Sequence, residues 1–363
     1  MQYSGRREAA DRGAIIRPAP PSGAPDAPGT AVPPTLLEPE TILAVLACLA
    51  DGEPRPTDEV AAAAGVTAAA LAAAREHLAD HGVRWRASGA LRVPGGVDLL
   101  EADAIVRALA ERGRDTLPVH VLGITGSTND DVRARLASGR PPFAVLAEAQ
   151  RAGRGRRGRS WASPVACNLY LSLALPLPGG VAAATGLSLV VGVAVAEALD
   201  EALAVPVRLK WPNDLLAGAR KLGGILVELA SGTAGDAAVV GIGVNVRQPR
   251  HAGRTVDQAW IDLAALVPAL PTRNLLAATV ADRVLVLHEH FLAHGFDAPL
   301  RARWNARDPW RDRTVVARGP ERALTGISRG VDESGALLLD TGTAVERIGS
   351  GEVSLRLGDG AAS

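Results

Sequence analysis

The segment Arg208-Leu209-Lys210-Trp211-Pro212-Asn213-Asp214 decides how the sequence folds, because it marks where an apolar strand ends. The strand carries Lys210 and stops at Pro212, which cannot donate to a strand ladder, and Asn213 and Asp214 then form a turn. A lysine at such a strand end points into a cleft more often than into bulk solvent. Its compact ammonium could bridge two negative groups that must approach each other.

Lysine is otherwise almost absent from this chain. Lys210 and Lys221 are its two lysines and lie eleven residues apart, and the other 37 of its 39 basic residues are arginines. Arginine cannot replace a lysine that must act as a compact point charge. We therefore favour a functional reason for this pair over chance clustering.

A glycine–arginine segment lies upstream and reads Gly153-Arg154-Gly155-Arg156-Arg157-Gly158-Arg159. Glycines allow a loop to move and close on a ligand, and arginines bind carboxylate and phosphate through a planar fork. The segment thus predicts a closing loop for an anionic substrate. The alternatives are a solvated basic loop or an RNA-binding tail, but its place between two apolar strands argues against a tail.

Two more segments are polar or glycine-rich at the ends of strands: Gly126-Ser127-Thr128-Asn129-Asp130 and Gly241-Ile242-Gly243-Val244-Asn245. Each has an ordinary explanation, because Ser, Thr and Asn cap helices and glycines form turns. Each could also bind a ligand, through free N–H groups at a helix start or through the Asn245 amide. A dinucleotide fingerprint and a Gly-x-x-x-x-Gly-Lys phosphate loop are both missing from the sequence.

Together, in this order and spacing, the four segments resemble the biotin–protein ligases, in the bifunctional form that also includes the biotin operon repressor. The resemblance covers residues 38–357 and is strongest over residues 147–175, 207–229 and 241–245. Residues 326–330 and 351–356 are similar to the family's C-terminal domain. The sequence departs from the family at Gly126, where an acidic residue is expected, and at Arg151, where a second glutamine is common.

The resemblance implies a reaction in two steps. The biotin carboxylate attacks the α-phosphate of ATP and forms biotinyl-5′-AMP and pyrophosphate. A lysine of a biotin carboxyl carrier protein then attacks this mixed anhydride. ATP with Mg²⁺ would be the co-substrate and biotin the substrate, with no tightly bound metal. Cations must offset the repulsion between the two anions, and a closed loop must keep the anhydride from water.

The resemblance also assigns roles to individual residues. Lys210 and Arg156 would be catalytic, and the metal ligands are not identified. Biotin would contact Ser127, Thr128, Asn129, Gln150, Arg154, Gly155, Arg156 and Lys210. ATP and the adenylate would contact Arg157, Arg159, Asn213, Asn245, Trp260 and Arg356.

The predicted fold is α+β and has three domains after a tail. Residues 1–37 are rich in Pro and Ala and predict disorder. Residues 38–97 predict a winged helix-turn-helix, and residues 98–310 a mixed-sheet catalytic domain of the class II aminoacyl-tRNA synthetase and biotin ligase type. Short strands and turns over residues 311–363 predict a small SH3-like β-barrel.

The charge of residues 38–97 fits DNA binding less well than their pattern does. We expect one helix at 40–50, a second helix whose N-cap is Thr57, and a third helix at 67–81. A two-stranded wing at 84–93 should follow them. These residues carry eight acidic groups and five arginines, and the recognition helix offers alanines where base-reading side chains are expected. Repression through operator DNA therefore remains open.

Composition and charge exclude several classes of protein. The net charge is +0, and the two cysteines, Cys48 and Cys167, form no metal or redox motif. The N-terminus carries no apolar run, so we expect no signal peptide. The most apolar stretch, 186–203, contains three acidic residues and predicts a buried helix rather than a membrane span. We expect a cytoplasmic protein that pairs as a homodimer when it holds the adenylate, the latter on the resemblance alone.

Three alternatives remain. A lipoate–protein ligase would share the catalytic fold, but the glycine–arginine loop and the Lys210 segment favour biotin. A DNA-binding regulator could sense biotin without ligase activity, although Lys210 and Arg156 argue against that. An RNA-binding protein fits poorly, because aromatic residues make up only 3% of the chain.

Overall fold

The structure is a computed structural model that describes residues 37–232, 235–249, 258–319, 323–350 and 354–357. The predicted disordered tail lies outside these residues except for Leu37. Within the described ranges, no helix is long and apolar enough to cross a membrane.

The first part of the chain forms short helices and a small sheet in the order β1-β3-β2. Its elements are α1 (Pro39–Cys48), β1 (Arg55–Pro56), α2 (Thr57–Ala63), α3 (Ala68–Ala73), α4 (Arg75–Asp80), β2 (Arg84–Trp85) and β3 (Ala90–Arg92). The expected hairpin is present, and β1 adds a third strand to it.

Two local predictions in this region were wrong. The expected helix 67–81 is two short helices that meet at Ala74, and each buries a single leucine, so little packing favours one straight helix. Thr57 does not cap α2 but is its first residue, and its hydroxyl donates to the carbonyl of Gly89 in the hairpin. The side chain therefore ties helix to hairpin instead of closing the helix end.

The central part is a seven-stranded mixed sheet in the order β4-β5-β6-β10-β9-β8-β7, which confirms the predicted mixed sheet backed by helices. Only β4 and β5 pair in parallel. Its elements are α5 (Ala102–Ala110), β4 (Val119–Thr125), α6 (Thr128–Leu136), β5 (Phe143–Gln150), β6 (Leu169–Pro176), α7 (Gly180–Ala183), α8 (Leu187–Leu203), β7 (Arg208–Lys210), β8 (Asp214–Ala217), β9 (Arg220–Gly232), β10 (Gly235–Val244), α9 (Arg273–His294) and α10 (Ala298–Asn305).

Helix α8 is the predicted buried helix, and its apolar side chains pack against the sheet and α9. Two of its three acidic residues avoid the apolar core by pairing with arginines of and after α10. Glu197 lies 2.5 Å from Arg303, and Asp200 lies 2.7 Å from Arg307.

The last part is a five-stranded antiparallel sheet in the order β14-β13-β12-β11-β15, which confirms the expected all-β end of the chain. Its strands are β11 (Thr314–Arg318), β12 (Ala323–Val331), β13 (Leu337–Asp340), β14 (Val345–Ile348) and β15 (Ser354–Leu357). The indole Nε1 of Trp211, just after β7, donates to the carbonyl of Gly335 at 3.1 Å. This bond joins the sheet that carries Lys210 to the C-terminal strands.

The loop between α10 and β11 carries a carboxyl group that should make stability depend on pH. Burial raises the pKa of Asp308 to about 6 from an ordinary value of 3.8. Between these values the folded chain binds the proton more tightly than the unfolded chain, so stability falls as pH rises through this window. We expect Asp308→Asn to raise the free energy of unfolding at pH 8 by up to roughly 2–3 kcal/mol, and to have little effect near pH 4; denaturant unfolding at the two pH values measures both. Equal stabilisation at both pH values would contradict this assignment.

Candidate active site

A cavity of about 520 Å³ lies among the sheet, the glycine–arginine loop and the last strand. All fourteen residues that the resemblance singled out line it, although their individual roles stay predictions: Ser127, Thr128, Asn129, Gln150, Arg154, Gly155, Arg156, Arg157, Arg159, Lys210, Asn213, Asn245, Trp260 and Arg356. The cavity therefore brings together segments that lie far apart in the sequence.

One end of the cavity is a buried network of uncharged polar groups. The Oε1 of Gln150 accepts from the Thr128 backbone N–H at 3.0 Å and from its hydroxyl at 3.1 Å. The Ser172 hydroxyl lies 2.7 Å from Thr128 Oγ1 and 2.6 Å from Asn129 Oδ1. No side chain caps α6 at its N-cap residue, Ser127, so capping does not account for the polar residues at the start of this helix.

Two glycines of β10 leave room for side chains that line this end. An added Cβ would lie 2.6 Å from Asn129 Oδ1 at Gly241, and 2.6 Å from the Trp161 ring at Gly243. The indole Nε1 of Trp161 is buried and has no hydrogen-bond partner among the described residues. This donor is available to a ligand. Sequence reasoning gave Trp161 no role, since only its place after the arginine loop could have drawn attention to it.

The other end of the cavity holds a carboxylate between two ammonium groups. Asp214 lies 3.3 Å from the Lys210 Nζ and 2.7 Å from the Lys221 Nζ, and all three side chains are mostly buried. Burial alone would raise the Asp214 pKa, but the two lysines outweigh it and lower the pKa of that carboxyl. The rarity of lysine pointed to Lys221, yet the sequence gave neither Lys221 nor Asp214 a role.

Two aromatic rings and one arginine, Arg356, also lie near the two lysines. Lys210 lies 5.0 Å from the centre of the Trp310 ring, and Lys221 lies 5.4 Å from that of Trp161. Burial lowers the pKa of Lys210, the Asp214 carboxylate opposes this, and Lys221 and Arg356 lower the pKa further. Arg356 reaches this cluster from β15, so the C-terminal sheet contributes directly to the site.

The arginines of the loop have different partners. Arg154 makes a bidentate pair with Asp130, with both oxygens 2.6 Å away. Arg156 lies in a 3-10 turn (Arg156–Gly158) and donates to the backbone carbonyl of Ser350. Arg157 adopts a left-handed conformation with φ 62°. Arg154 thus anchors the base of the loop, while Arg156 connects its tip to the C-terminal sheet.

Two predicted nucleotide-binding residues hold backbone segments in this structure. The Asn213 side-chain amide donates to the carbonyl of Ile225 at 2.7 Å, and that of Asn245 donates to the carbonyl of Ile261 at 3.0 Å. Both line the cavity while their amide N–H groups are used to position neighbouring strands and loops.

Arg151 stands where a second glutamine is common in the family, and it does not line the cavity. Its exposed guanidinium lies 2.5 Å from Glu40 and 3.6 Å from Glu38 in the N-terminal part of the chain. Exposed ion pairs of this kind contribute roughly 0–1 kcal/mol. Its position outside the cavity makes it a suitable control for arginines of the loop.

Known proteins resemble the chain over almost all of its described length. A model described as biotin/lipoate A/B protein ligase family matches residues 124–245, and one described as biotin protein ligase C terminal domain matches residues 312–356. The bifunctional ligase/repressor BirA of Salmonella typhimurium is 40% identical over 318 residues, which cover 86% of this chain and 97% of that protein. A biotin–[acetyl-CoA-carboxylase] ligase of Mycobacterium tuberculosis is 37% identical over 244 residues, which cover 64% and 87% of the two chains. The structure of a biotin protein ligase from Aquifex aeolicus in complex with biotin and ATP is 30% identical, has a TM-score of 0.57, and covers 66% of this chain and 99% of that one.

Proposed function

Because this chain belongs to the biotin protein ligase family, we propose that it forms biotinyl-5′-AMP from biotin and ATP and transfers the biotinyl group to a lysine of a biotin carboxyl carrier protein. The observation that carries the proposal is the charge of the cavity. Among the described residues that line it, seven are basic and one, Asp214, is acidic. Such a cavity suits a reaction in which two anions, a carboxylate and a polyphosphate, must meet.

The basic end of the cavity fits the first step. Lys210, Arg156 and Arg356 come from three separate segments and line the same space. Preorganised cations in a partly buried site stabilise the charge that builds on phosphorus during attack by a carboxylate. We propose that Lys210 lies between the biotin carboxylate and the α-phosphate, with Arg156 closing over both.

The uncharged end of the cavity fits the ring system of biotin. The buried indole N–H of Trp161 is an unused donor, and Thr128 and Asn129, which donate to Gln150 and Glu228, line the same cavity. A neutral urea fused to an apolar ring requires such partners, while the acid at the end of its chain requires the basic end. The cavity lining has both the uncharged polar partners for the ring system and the basic groups for the acid.

We propose that Mg²⁺ binds together with ATP. Among the described residues, no group of three or more His, Cys, Asp or Glu side chains could hold a metal ion. Asp214, the carboxylate of the cavity, is already paired with two lysines. We therefore propose that the phosphates of ATP and water bind the ion.

Pyrophosphate release with ATP, Mg²⁺ and either biotin or lipoate tests the proposal, followed by transfer of label to a biotin carrier domain. We expect turnover with biotin and transfer to the carrier lysine. Turnover with lipoate alone would identify a lipoate ligase. Tight binding of biotin without turnover would identify a sensor built on a ligase fold, and the N-terminal domain would then be the main functional part.

We also propose the finer organisation that the resemblance implies: a winged helix-turn-helix at 38–97, a class II synthetase-like catalytic domain at 98–310, and an SH3-like barrel at 311–363. Pairing of two adenylate-bound copies belongs to the same proposal, while repression at an operator is the alternative that the DNA-binding test below decides. The relatives named BirA support the repressor role, since they are called ligase/repressors.

DNA binding by the N-terminal domain is expected to be weak and independent of sequence. Helix α3 exposes Ala68, Ala69 and Ala72, which cannot read base edges, and Arg75 is stacked over Trp85 at 5.3 Å. Phosphate contacts by the hairpin arginines remain, so affinity should fall with salt with a log–log slope no steeper than about −3. Fluorescence anisotropy with labelled duplexes measures both properties. A preference of roughly 1,000-fold or more for one sequence would contradict this expectation.

A further inference from the structure

The cavity contains the only lysine amines of the chain, and the proposed reaction generates an acylating agent beside them. Biotinyl-5′-AMP is a mixed anhydride that reacts with uncharged amines. Lys210 and Lys221 both line the cavity, and every other basic side chain apart from histidine is an arginine. Guanidinium groups stay protonated in proteins, so they do not compete for the acyl group.

Asp214 is placed by the sheet so that it contacts both amines. Lys210 and Asp214 face each other across the pairing of β7 with β8, and Lys221 lies on β9, which pairs with the other edge of β8. The resulting distances are 3.3 Å and 2.7 Å. The side chains of Lys210, Asp214 and Lys221 are 13%, 14% and 16% exposed, so water screens these ion pairs poorly.

Among the residues that the structure describes, the other charges that face this cluster are positive. Lys210 interacts electrostatically with Lys221 and Arg356, and Asp214 interacts with Arg156. Trp161 and Trp310 cover the lysines with ring faces and bring no charge. Burial and neighbouring cations both favour the uncharged amine of Lys210, and Asp214 is the group that opposes them.

We propose that Asp214 is a positioning residue that keeps Lys210 and Lys221 charged beside the adenylate and thereby prevents the enzyme from transferring the biotinyl group to itself. This inference rests on the proposed function. An ammonium has no lone pair with which to attack. An uncharged amine would attack the acyl carbon, an N–C bond would form, the C–O bond to the phosphate would break, AMP would leave with the electron pair, and the amine would release a proton to the buffer.

The test supplies synthetic biotinyl-5′-AMP to the full chain and to Asp214→Asn at pH 7, and follows intact mass and the modified peptides. We expect the variant to gain a biotinyl group at Lys210 or Lys221 at least about 10-fold faster than the unsubstituted chain, because removing an opposite charge at this distance favours the uncharged amine. A variant that binds the adenylate and stays unmodified at both lysines overturns the proposal, as does equal labelling of both proteins.

Matched variants separate charge at this site from a general loss of structure. Asp332→Asn removes a mostly buried carboxylate that is paired with Arg347 at 2.6 Å and does not line the cavity, and should remain unlabelled. Adding Lys210→Arg or Lys221→Arg to Asp214→Asn identifies the acceptor, because the label should disappear with it. Labelling that survives both double substitutions would overturn the assignment.

A pH series on the unsubstituted chain decides the question if Asp214→Asn does not fold. Labelling at Lys210 should rise with pH and begin below the usual range of lysine, because burial lowers the pKa of this amine, and its absence at pH 10 in folded, adenylate-bound protein overturns the proposal. Synthetic adenylate also keeps the two proposals apart. A chain that fails to release pyrophosphate from biotin and ATP can still be acylated in this assay, so failure of the ligase function and failure of the Asp214 role are distinguishable.

Discussion

Lys210→Ala is expected to lower the rate of biotinyl-5′-AMP formation by roughly 10²- to 10³-fold, the usual effect of removing one preorganised group that stabilises a developing charge. The chain should remain folded, because Asp214 keeps its 2.7 Å ion pair with Lys221 and no buried charge is left alone. Pyrophosphate release measures the rate, and circular dichroism with a melting curve measures the fold.

Two variants make this result specific. Arg208→Ala removes a positive charge from the same strand but outside the cavity, so its rate should match that of the unsubstituted chain. Lys210→Arg keeps the charge but replaces a compact ammonium with a planar fork, and should still lose most of the rate. Normal turnover by Lys210→Ala would remove this lysine from the chemistry.

Arg156→Ala is expected to release the adenylate early while leaving the fold intact. The guanidinium lines the cavity and also donates to the carbonyl of Ser350, so its loss removes both a phosphate partner and a link between the loop and the C-terminal sheet. A hydrogen bond to a charged group contributes about 1.5–3 kcal/mol, which corresponds to roughly 10- to 100-fold faster dissociation. Stopped-flow release of biotinyl-5′-AMP measures this rate directly.

Arg151→Ala is the control for that experiment. It removes the same charge just before the loop, but its side chain pairs with Glu40 on the surface and does not line the cavity. Its adenylate dissociation should be unchanged. An Arg156→Ala protein that retains the adenylate as long as the control would show that the loop closes without this side chain.

The segments singled out in the sequence meet because of the sheet topology. Strands β4 and β5 are parallel, and β10 runs in the same direction as β5 because each is antiparallel to β6. The C-terminal ends of these three strands therefore lie at one edge, where the polar residues after β4, Gln150 and Asn245 come together. The sequence predicts each strand end from a local pattern. Only the family resemblance predicted that these strand ends would lie together in one site.

Contacts between distant residues were not predictable in the same way. Thr57 is of a residue type that often caps helices, yet its hydroxyl donates to the carbonyl of Gly89 because the hairpin folds back onto the helix. Trp161 was overlooked because its role depends on Gly243, which approaches the ring from a different strand. Neither contact leaves a periodic or local signal in the chain.

The sequence by itself determined which chemical groups are available: two lysines, a mobile arginine loop, and polar residues at strand ends, because short contiguous segments carry that information. The tertiary structure alone decided which of these groups contact one another. Asp214 contacts both Lys210 and Lys221 because its strand β8 lies between β7 and β9 in the sheet, and Arg356 lines the same cavity from the C-terminal strand β15. Such pairings follow from sheet register and domain packing, which depend on the burial of the whole core rather than on any one segment.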